Sequence, residues 1–328
     1  MELKERLAEE TVQIDRIMRE DLAAVTDALD PQLNEILEYG LFAGGKRVRP
    51  LLTILAARMC GNEDQRVYNL AIAFEFLHGA TLFHDDVIDK ADTRRGRPSV
   101  QKRFGTVAAI LAGDFLHAHS MALVGEFAGV KGLSLFSKVT RSMVNGEFLQ
   151  LRNSRNFNQS EADYFSAVSG KTALLIGAAC ELGALFAAAK PDQQSALKTY
   201  GLSLGYAFQI IDDLLDYQGD AQLIGKGLGN DLAEGKMTLP LIRTMKRADG
   251  ADKQWLEETL ENQLQRQQKF AQVTSMIEKY DGFAYAREKA GDIITTALDA
   301  LGRLKQQSNQ QSFEILEGLA HYVLNRNN

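Results

Sequence analysis

The chain has 328 residues, of which 45% are hydrophobic and 24% charged, an ordinary composition for a globular protein with a sizeable core. Its 37 basic and 43 acidic residues give a net charge of −6, which argues against nonspecific binding to nucleic acid but leaves room for local cationic clusters that hold anions. Only five prolines occur and no run of alternating β-branched residues is present, so helices are expected throughout.

In chain order, Met1–Glu20 is charged and amphipathic, the wrong make-up for a secretory leader. Asp30-Pro31 predicts a helix start, an N-cap followed by proline at the first helical position, and Gly40 predicts its stop. Ser160, with Asp163 three residues on, predicts a capping box opening a helix that runs through Ala189. Within it Thr172–Ala189 is apolar but carries glycine, Cys180 and Glu181; it reads as a buried helix, and no transmembrane segment is expected. Pro191 opens the next helix, which Gly219-Asp220 ends. A Gly- and Asp-rich loop follows, holding Lys226, Asp231 and Lys236. After Pro240 the chain turns helical again. Asp252–Phe270 predicts a solvated helix and Ser312–Leu324 an amphipathic one. Length alone corresponds to about two domains. No low-complexity linker or change of composition separates two, so residues 1–328 are read as a single domain. Cys60 and Cys180 show no zinc spacing and no disulfide framework, and read as inert thiols of a reducing cytoplasm.

One pattern recurs. Asp-Asp-x-x-Asp occurs at Asp85-Asp86-Val87-Ile88-Asp89 and again at Asp212-Asp213-Leu214-Leu215-Asp216, each time after an apolar run. On a helix Asp85 and Asp89 share a face, as do Asp212 and Asp216. Carboxylates that close repel unless a cation joins them, and a hard divalent ion such as Mg²⁺ takes a few carboxylates together with water and phosphate oxygens. A single such motif is as readily a solvated acidic face; two copies point to a Mg²⁺ clamp on a diphosphate. Fixed positive charge is also present. Gly44-Gly45-Lys46-Arg47-Val48-Arg49-Pro50 sets three cations behind a flexible glycine pair, although alone it could be a surface patch. Arg94-Arg95-Gly96-Arg97 follows the first motif closely enough to be salt-bridge partners of its acids. Lys171 lies in an apolar helix, where it must snorkel or meet an anion. His78 precedes Asp85 by two helical turns and shares its face, a place for a structural histidine or a diphosphate contact.

These motifs, with GDF at 113–115, GEFLQL at 146–151, KT at 171–172, FQIIDDLLD at 208–216 and GNDLAEGKMTLP at 229–240, resemble in order those of the trans-polyprenyl diphosphate synthases. The long-chain bacterial members, of the octaprenyl or solanesyl type, are the most similar. The resemblance runs from about Glu35 to the C-terminus. It implies an all-α, isoprenoid-synthase-type bundle of antiparallel helices around a central cavity, assembled as a homodimer. It implies a cytoplasmic enzyme that condenses an allylic diphosphate with successive isopentenyl diphosphate units. Asp85 and Asp89, joined by Asp86, would hold Mg²⁺, with Asp212 completing the clamp. Arg94, Lys171, Lys226 and Lys236 would contact the allylic diphosphate, and Lys46, Arg49, His78 and Arg95 isopentenyl diphosphate. Thr172 and Gln209 would sit beside the developing carbocation.

The same resemblance turns Ala80 and Thr81, about one turn before Asp85, into the tunnel for the growing chain. Both are small, which predicts a long product. Val124, Phe136 and Met143 would be deeper walls or simply core. A shorter-chain farnesyl or geranylgeranyl synthase, or a noncatalytic partner subunit, are the alternatives; the latter is expected to have lost part of a motif, and both motifs are whole. A terpene cyclase has no second diphosphate to hold, and a plain Mg²⁺- or Ca²⁺-binding protein gives the basic residues no common purpose.

Overall fold

The computed structural model describes residues 3–27, 29–219, 228–305 and 309–326. The helices are α1 (Leu3–Thr26), α2 (Pro31–Leu41), α3 (Val48–Met59), α4 (Val67–Ile88), α5 (Val100–Phe104), α6 (Thr106–Arg155), α7 (Glu161–Val168), α8 (Leu174–Phe186) and α9 (Pro191–Gln218), then α10 (Asn230–Ala233), α11 (Leu239–Arg247), α12 (Gly250–Glu261), α13 (Gln263–Gln268), α14 (Phe270–Lys279), α15 (Gly282–Gly302) and α16 (Gln310–Leu324). Among the described residues the only strands are β1 (Thr93–Arg94) and β2 (Arg97–Pro98), so the all-α expectation holds.

Several boundaries follow the sequence signals. Asp30 Oδ1 accepts the Gln32 N–H at 2.8 Å and Pro31 opens α2. Pro191 opens α9, which ends at Gln218. Others differ. The stop expected at Gly40 comes one residue later, at Leu41, and a Cβ on Gly40 would stand 2.3 Å from the Phe83 ring, so the glycine also serves close approach. Ser160 caps α7 by accepting the Asp163 N–H at 3.2 Å, but the reciprocal bond of a capping box is missing. The Asp163 carboxylate instead accepts from Asn158 Nδ2 at 2.6 Å, and Asn158 Oδ1 takes the Ser160 N–H at 2.9 Å. The solvated helix expected over 252–270 is divided between α12 and α13 at Asn262, whose extended backbone breaks it and whose side chain caps the second piece.

Cα proximity divides the chain into two compact units. The first comprises Met1–Ser137, Ala178–Lys198 and Leu304–Leu316; the second comprises Lys138–Gly177, Thr199–Arg303 and Glu317–Asn328. In the first unit α4 is apolar nearly all round and therefore buried, packing on α3 along its length. Phe74 and Phe136 meet edge to face at 5.4 Å within this core, and Val124 is fully buried. In the second unit α11 packs on α15, with Gly282 letting the backbones close to contact. By length and hydropathy alone, two helical runs, Thr106–Ser154 and Glu161–Phe186, could cross a membrane; the apolar stretch of the second is mostly buried in the protein. α6 breaks at Gly129, whose φ of 63° and ψ of −166° only glycine adopts readily.

Candidate active site

In the first unit the cationic loop is built around Arg47. Its backbone is left-handed (φ 46°), a strained conformation for a non-glycine residue, and it precedes the first turn of α3. All three faces of its buried guanidinium are used: Nε donates to Asp15 Oδ1 at 2.6 Å, Nη1 to Glu75 Oε1 at 2.8 Å and Nη2 to the Leu41 carbonyl at 2.8 Å. Burial works against its charge, but Glu75 and Asp15 outweigh that and raise its pKa. Arg47 is thus a frame, tying α1, α2 and α4 to the loop. Arg49 is placed differently. Its Nε is buried with no hydrogen-bond partner, and burial lowers its pKa despite Glu75. A buried donor without an acceptor is costly, and an anion at this point would satisfy it.

His78 lies under the same cluster. Burial, then the charges of Arg49, Arg95, Arg94 and Arg47, hold it well below the usual imidazole range, so it is neutral. Lys46 is exposed. Arg95 occupies the tip of the β1–β2 hairpin, where Arg95 (φ 52°) and Gly96 (φ 72°) form a two-residue turn with both central residues left-handed. The turn leaves Arg95 exposed and sends Arg94 back toward α4. There Asp86 is 1% exposed, and its Oδ1 accepts from Arg94 Nε at 2.8 Å and Nη2 at 2.7 Å. Asp85 is partly buried and Asp89, which ends the helix, is exposed. Arg94 is therefore a partner of the middle acid, while the outer two remain at the surface of the helix end. His84 lies against Gly113, where a Cβ would stand 2.3 Å from its ring, and its Nε2 is 3.2 Å from the Ile110 carbonyl. Ala80 is buried, and the Thr81 hydroxyl donates to the His78 carbonyl at 2.8 Å.

In the second unit the helix carrying Lys171 widens to a π turn over Ser169–Ala173, a form common at functional sites. Small residues allow this turn to be crossed closely from two sides. A Cβ on Gly146 of α6 would stand 2.8 Å from the Lys171 backbone nitrogen, and one on Gly205 of α9 would stand 2.6 Å from the Ala173 Cα. Lys171 pairs with Glu147 at 3.0 Å. Thr172 donates its hydroxyl proton to Gln209 Oε1 at 2.9 Å, Gln209 Nε2 donates to Asp213 Oδ1 at 2.9 Å, and the Tyr164 hydroxyl donates to Asp213 Oδ2 at 2.7 Å.

The second aspartate motif is thereby sorted. Asp212 is exposed, with Arg326 Nη1 3.3 Å from its Oδ1. Asp213 is buried; burial, then the charge of Asp231, hold its carboxyl well above the ordinary range. Asp216 accepts the N–H groups of Asn230 at 3.2 Å and Asp231 at 3.0 Å, and burial followed by Asp231 raises its pKa to about 6. Burial disfavours the charge on Lys236, but its pairs with Asp231 at 3.0 Å and Glu234 at 2.6 Å raise its pKa on balance. Tyr164, Lys171, Gln209, Asp213, Asp231 and Lys236 line one cavity of about 100 Å³. A larger open hollow of about 470 Å³ is lined by Ser166, Ser169 and Tyr206 among others, and by none of these charged groups. Among the described residues no three His, Cys, Asp or Glu side chains converge as a metal cluster.

Residues 30–277 match the Polyprenyl synthetase family. The chain belongs to this family. It is 35% identical over 322 residues to the octaprenyl diphosphate synthase of Haemophilus influenzae, covering 96% of this chain and 97% of that one. Among solved structures it is similar to a decaprenyl diphosphate synthase from Rhodobacter capsulatus, with a TM-score of 0.88, 34% identity, and 99% and 98% of the two chains covered. It is also similar to a polyprenyl synthase from Caulobacter crescentus complexed with calcium and isoprenyl diphosphate, with a TM-score of 0.85, 35% identity, and 96% and 97% covered.

For a polyprenyl synthetase, the sequence-predicted residues fall into two groups. Arg49, His78, Arg94, Arg95, Asp85, Asp86 and Asp89 gather in the first unit, and Lys171, Thr172, Gln209, Asp212 and Lys236 in the second. Lys226 lies outside the described residues. Sequence reasoning missed Glu75 and Tyr164. Each had a signal: Glu75 precedes His78 by three residues and Tyr164 precedes Lys171 by seven, spacings that put them on the faces of residues already singled out.

Proposed function

We propose that this prenyltransferase lengthens an allylic diphosphate with successive isopentenyl diphosphate units, uses Mg²⁺, and releases a long-chain polyprenyl diphosphate. The observation that carries the reading is the cluster around Arg49. A half-buried arginine whose buried Nε is unsatisfied, beside the neutral His78 and the exposed Arg95, suits the diphosphate of isopentenyl diphosphate. Asp85 and Asp89, four residues apart at the end of α4, and the exposed Asp212 are hard oxygen donors of the kind Mg²⁺ takes. When bound, the metal supplies Lewis-acid neutralisation of diphosphate oxygens as charge gathers on them.

The protein's own residues do the rest. Lys171 and Lys236 exchange part of their pairing with Glu147, Asp231 and Glu234 for the allylic diphosphate. In the first unit Arg94, fixed by Asp86, has N–H groups left for a diphosphate oxygen. Thr172 and Gln209 turn dipoles toward the allylic carbon as it becomes positive. No side chain stands out as a base, so the departing diphosphate takes the proton lost on condensation.

The small side chains of Ala80 and Thr81 support a long product. Exposed apolar residues on α6 support a homodimer: Val107, Ile110 and Leu111 share one stripe, and Val144, Phe148 and Leu151 share another. Replacing Phe148 with Asp should lower the mass seen by light scattering to that of a monomer, and an unchanged mass would refute that interface. The activity is tested by incubating the purified protein with Mg²⁺, farnesyl diphosphate and labelled isopentenyl diphosphate and separating the dephosphorylated products. A ladder ending in one long polyprenol is expected. A product stopping at the geranylgeranyl stage would refute the long-chain reading, and no incorporation would refute the activity.

A further inference from the structure

Asp213 is placed for a task different from that of its neighbours in the second motif. It is 4% exposed, and both of its oxygens are engaged inside the protein, Oδ2 by the Tyr164 hydroxyl at 2.7 Å and Oδ1 by Gln209 Nε2 at 2.9 Å. An amide has one donor end and one acceptor end. With the nitrogen of Gln209 committed to Asp213, its carbonyl oxygen must face the other way, and there it accepts the Thr172 hydroxyl proton at 2.9 Å. A threonine hydroxyl carries a single proton and two lone pairs. Once the proton is directed to Gln209, what Thr172 offers to anything else beside it is lone-pair density. Without the chain of bonds, the same hydroxyl could rotate and present its positive end.

We infer that Tyr164 and Asp213 are positioning residues, which lock the Gln209 amide and through it hold the Thr172 hydroxyl with its lone pairs available to a developing carbocation. This rests on the function proposed above. The local structure is suited to it. Gln209 and Asp213 are one turn apart on α9, so one carboxylate oxygen meets the amide while the other reaches across. Tyr164 is 7% exposed and its ring packs edge-on against Phe165 at 5.3 Å, so the phenol approaches Asp213 from a fixed direction. The π turn at Ser169–Ala173 sets the phase between Tyr164 and Thr172 on one helical run, which lets both face the side chains of α9.

The test is a double-mutant cycle in the assay with farnesyl and isopentenyl diphosphates, comparing the native enzyme, Tyr164→Phe, Thr172→Val and the double variant. Tyr164→Phe is expected to lower kcat roughly ten-fold while leaving both KM values and the Mg²⁺ half-saturation within about two-fold. In the Thr172→Val background the same change is expected to have almost no further effect, because the group it orients is gone. Effects that multiply independently, or a rise in KM at constant kcat, would overturn the inference, since a merely structural tyrosine behaves that way. Asp213→Asn runs through the same cycle and decides the matter should Tyr164→Phe fail to fold. It keeps the shape but sets an N–H where Gln209 or Tyr164 needs an acceptor, so it is expected to slow kcat at least as much and to lose its effect likewise beside Thr172→Val. A native protein inactive on both substrates refutes the proposed function. An active one with independent effects refutes this inference alone.

Discussion

In the first aspartate motif the middle acid, Asp86, lies inside the protein and anchors a cation, Arg94; in the second the middle acid, Asp213, lies inside and anchors two neutral groups, Gln209 and Tyr164. The motifs share a spacing, yet their surroundings differ in how the cations are held. Around the first, Arg47 pairs with Asp15 and Glu75 and Arg94 with Asp86, and Arg49 keeps an unsatisfied donor. Around the second, Lys171 pairs with Glu147, Lys236 with Asp231 and Glu234, and Arg326 approaches Asp212. In the first region Arg47 and Arg94 are fixed by acids, while Arg49 keeps a buried donor unsatisfied, as suits an anion bound directly by a guanidinium group. The second holds its cations on acids that must partly release them, as suits a ligand whose charge changes in the reaction.

The largest effect that could break this comparison is loss of an outer acid. Asp85→Ala and Asp212→Ala should each lower kcat about a thousand-fold, the scale of several kcal/mol of electrostatic stabilisation. Steady-state rates at saturating substrate check this, and wild-type rates in either variant would remove that motif from the chemistry. Next is Arg49→Met, expected to raise the KM for isopentenyl diphosphate roughly thirty-fold while leaving that for farnesyl diphosphate nearly unchanged. An equal rise in both would mean that the arginine cluster does not discriminate the substrates. Ala80→Phe should shorten the dominant product by several isoprene units with little loss of initial rate. Product chromatography reads this directly, and an unchanged length would show that the tunnel runs elsewhere.

The smallest effects are on stability, and they have opposite signs in the two regions. The folded-state pKa of His78 is depressed below 6.5, so the unfolded chain binds its proton more tightly, and the stability tied to this residue is lost as pH falls below about 6.5. Asp216 is raised to about 6 from 3.8, so its ionised form is disfavoured in the fold, and stability tied to it is lost as pH rises through about 6. In the presence of chelator, His78→Gln should therefore raise Tm relative to the native protein by a few degrees at pH 5, and Asp216→Asn by a few degrees at pH 8. Melting curves at the two pH values test both, and the same sign of change with pH in the two variants would contradict the assignment.

Much of the helical framework could be read from local chemistry. Asp30-Pro31 and Pro191 act through their own backbone and neighbours, so their consequences are visible without tertiary context. The outer acids of each motif were likewise legible, because helical spacing alone puts them on one face. What was not legible depends on packing from elsewhere in the chain. Asp163 fits the capping-box pattern, but Asn158 competes for its carboxylate. Gly40 stands one residue before the end of its helix, as its sequence suggests, but that Phe83 must also fit against it was not legible. The π turn at Lys171 comes with close crossings at Gly146 and Gly205, which no local signal announces. The inward turn of the middle acids lies between these cases. Phe83 precedes Asp86 by three residues and Ile210 precedes Asp213 by three, and both apolar residues are buried, so helical phase placed the acids inside. Which partners they would find there depended on the β1–β2 hairpin and on α7.

The most direct test of this division of labour is a Mg²⁺ titration of activity in Asp86→Asn and Asp213→Asn beside Asp85→Asn and Asp212→Asn. The two outer-acid variants should need roughly ten-fold more Mg²⁺ for half-maximal rate, whereas the two middle-acid variants should be slower at an unchanged Mg²⁺ requirement. A shift of the Mg²⁺ requirement in Asp86→Asn or Asp213→Asn as large as that in the outer-acid variants would contradict the account.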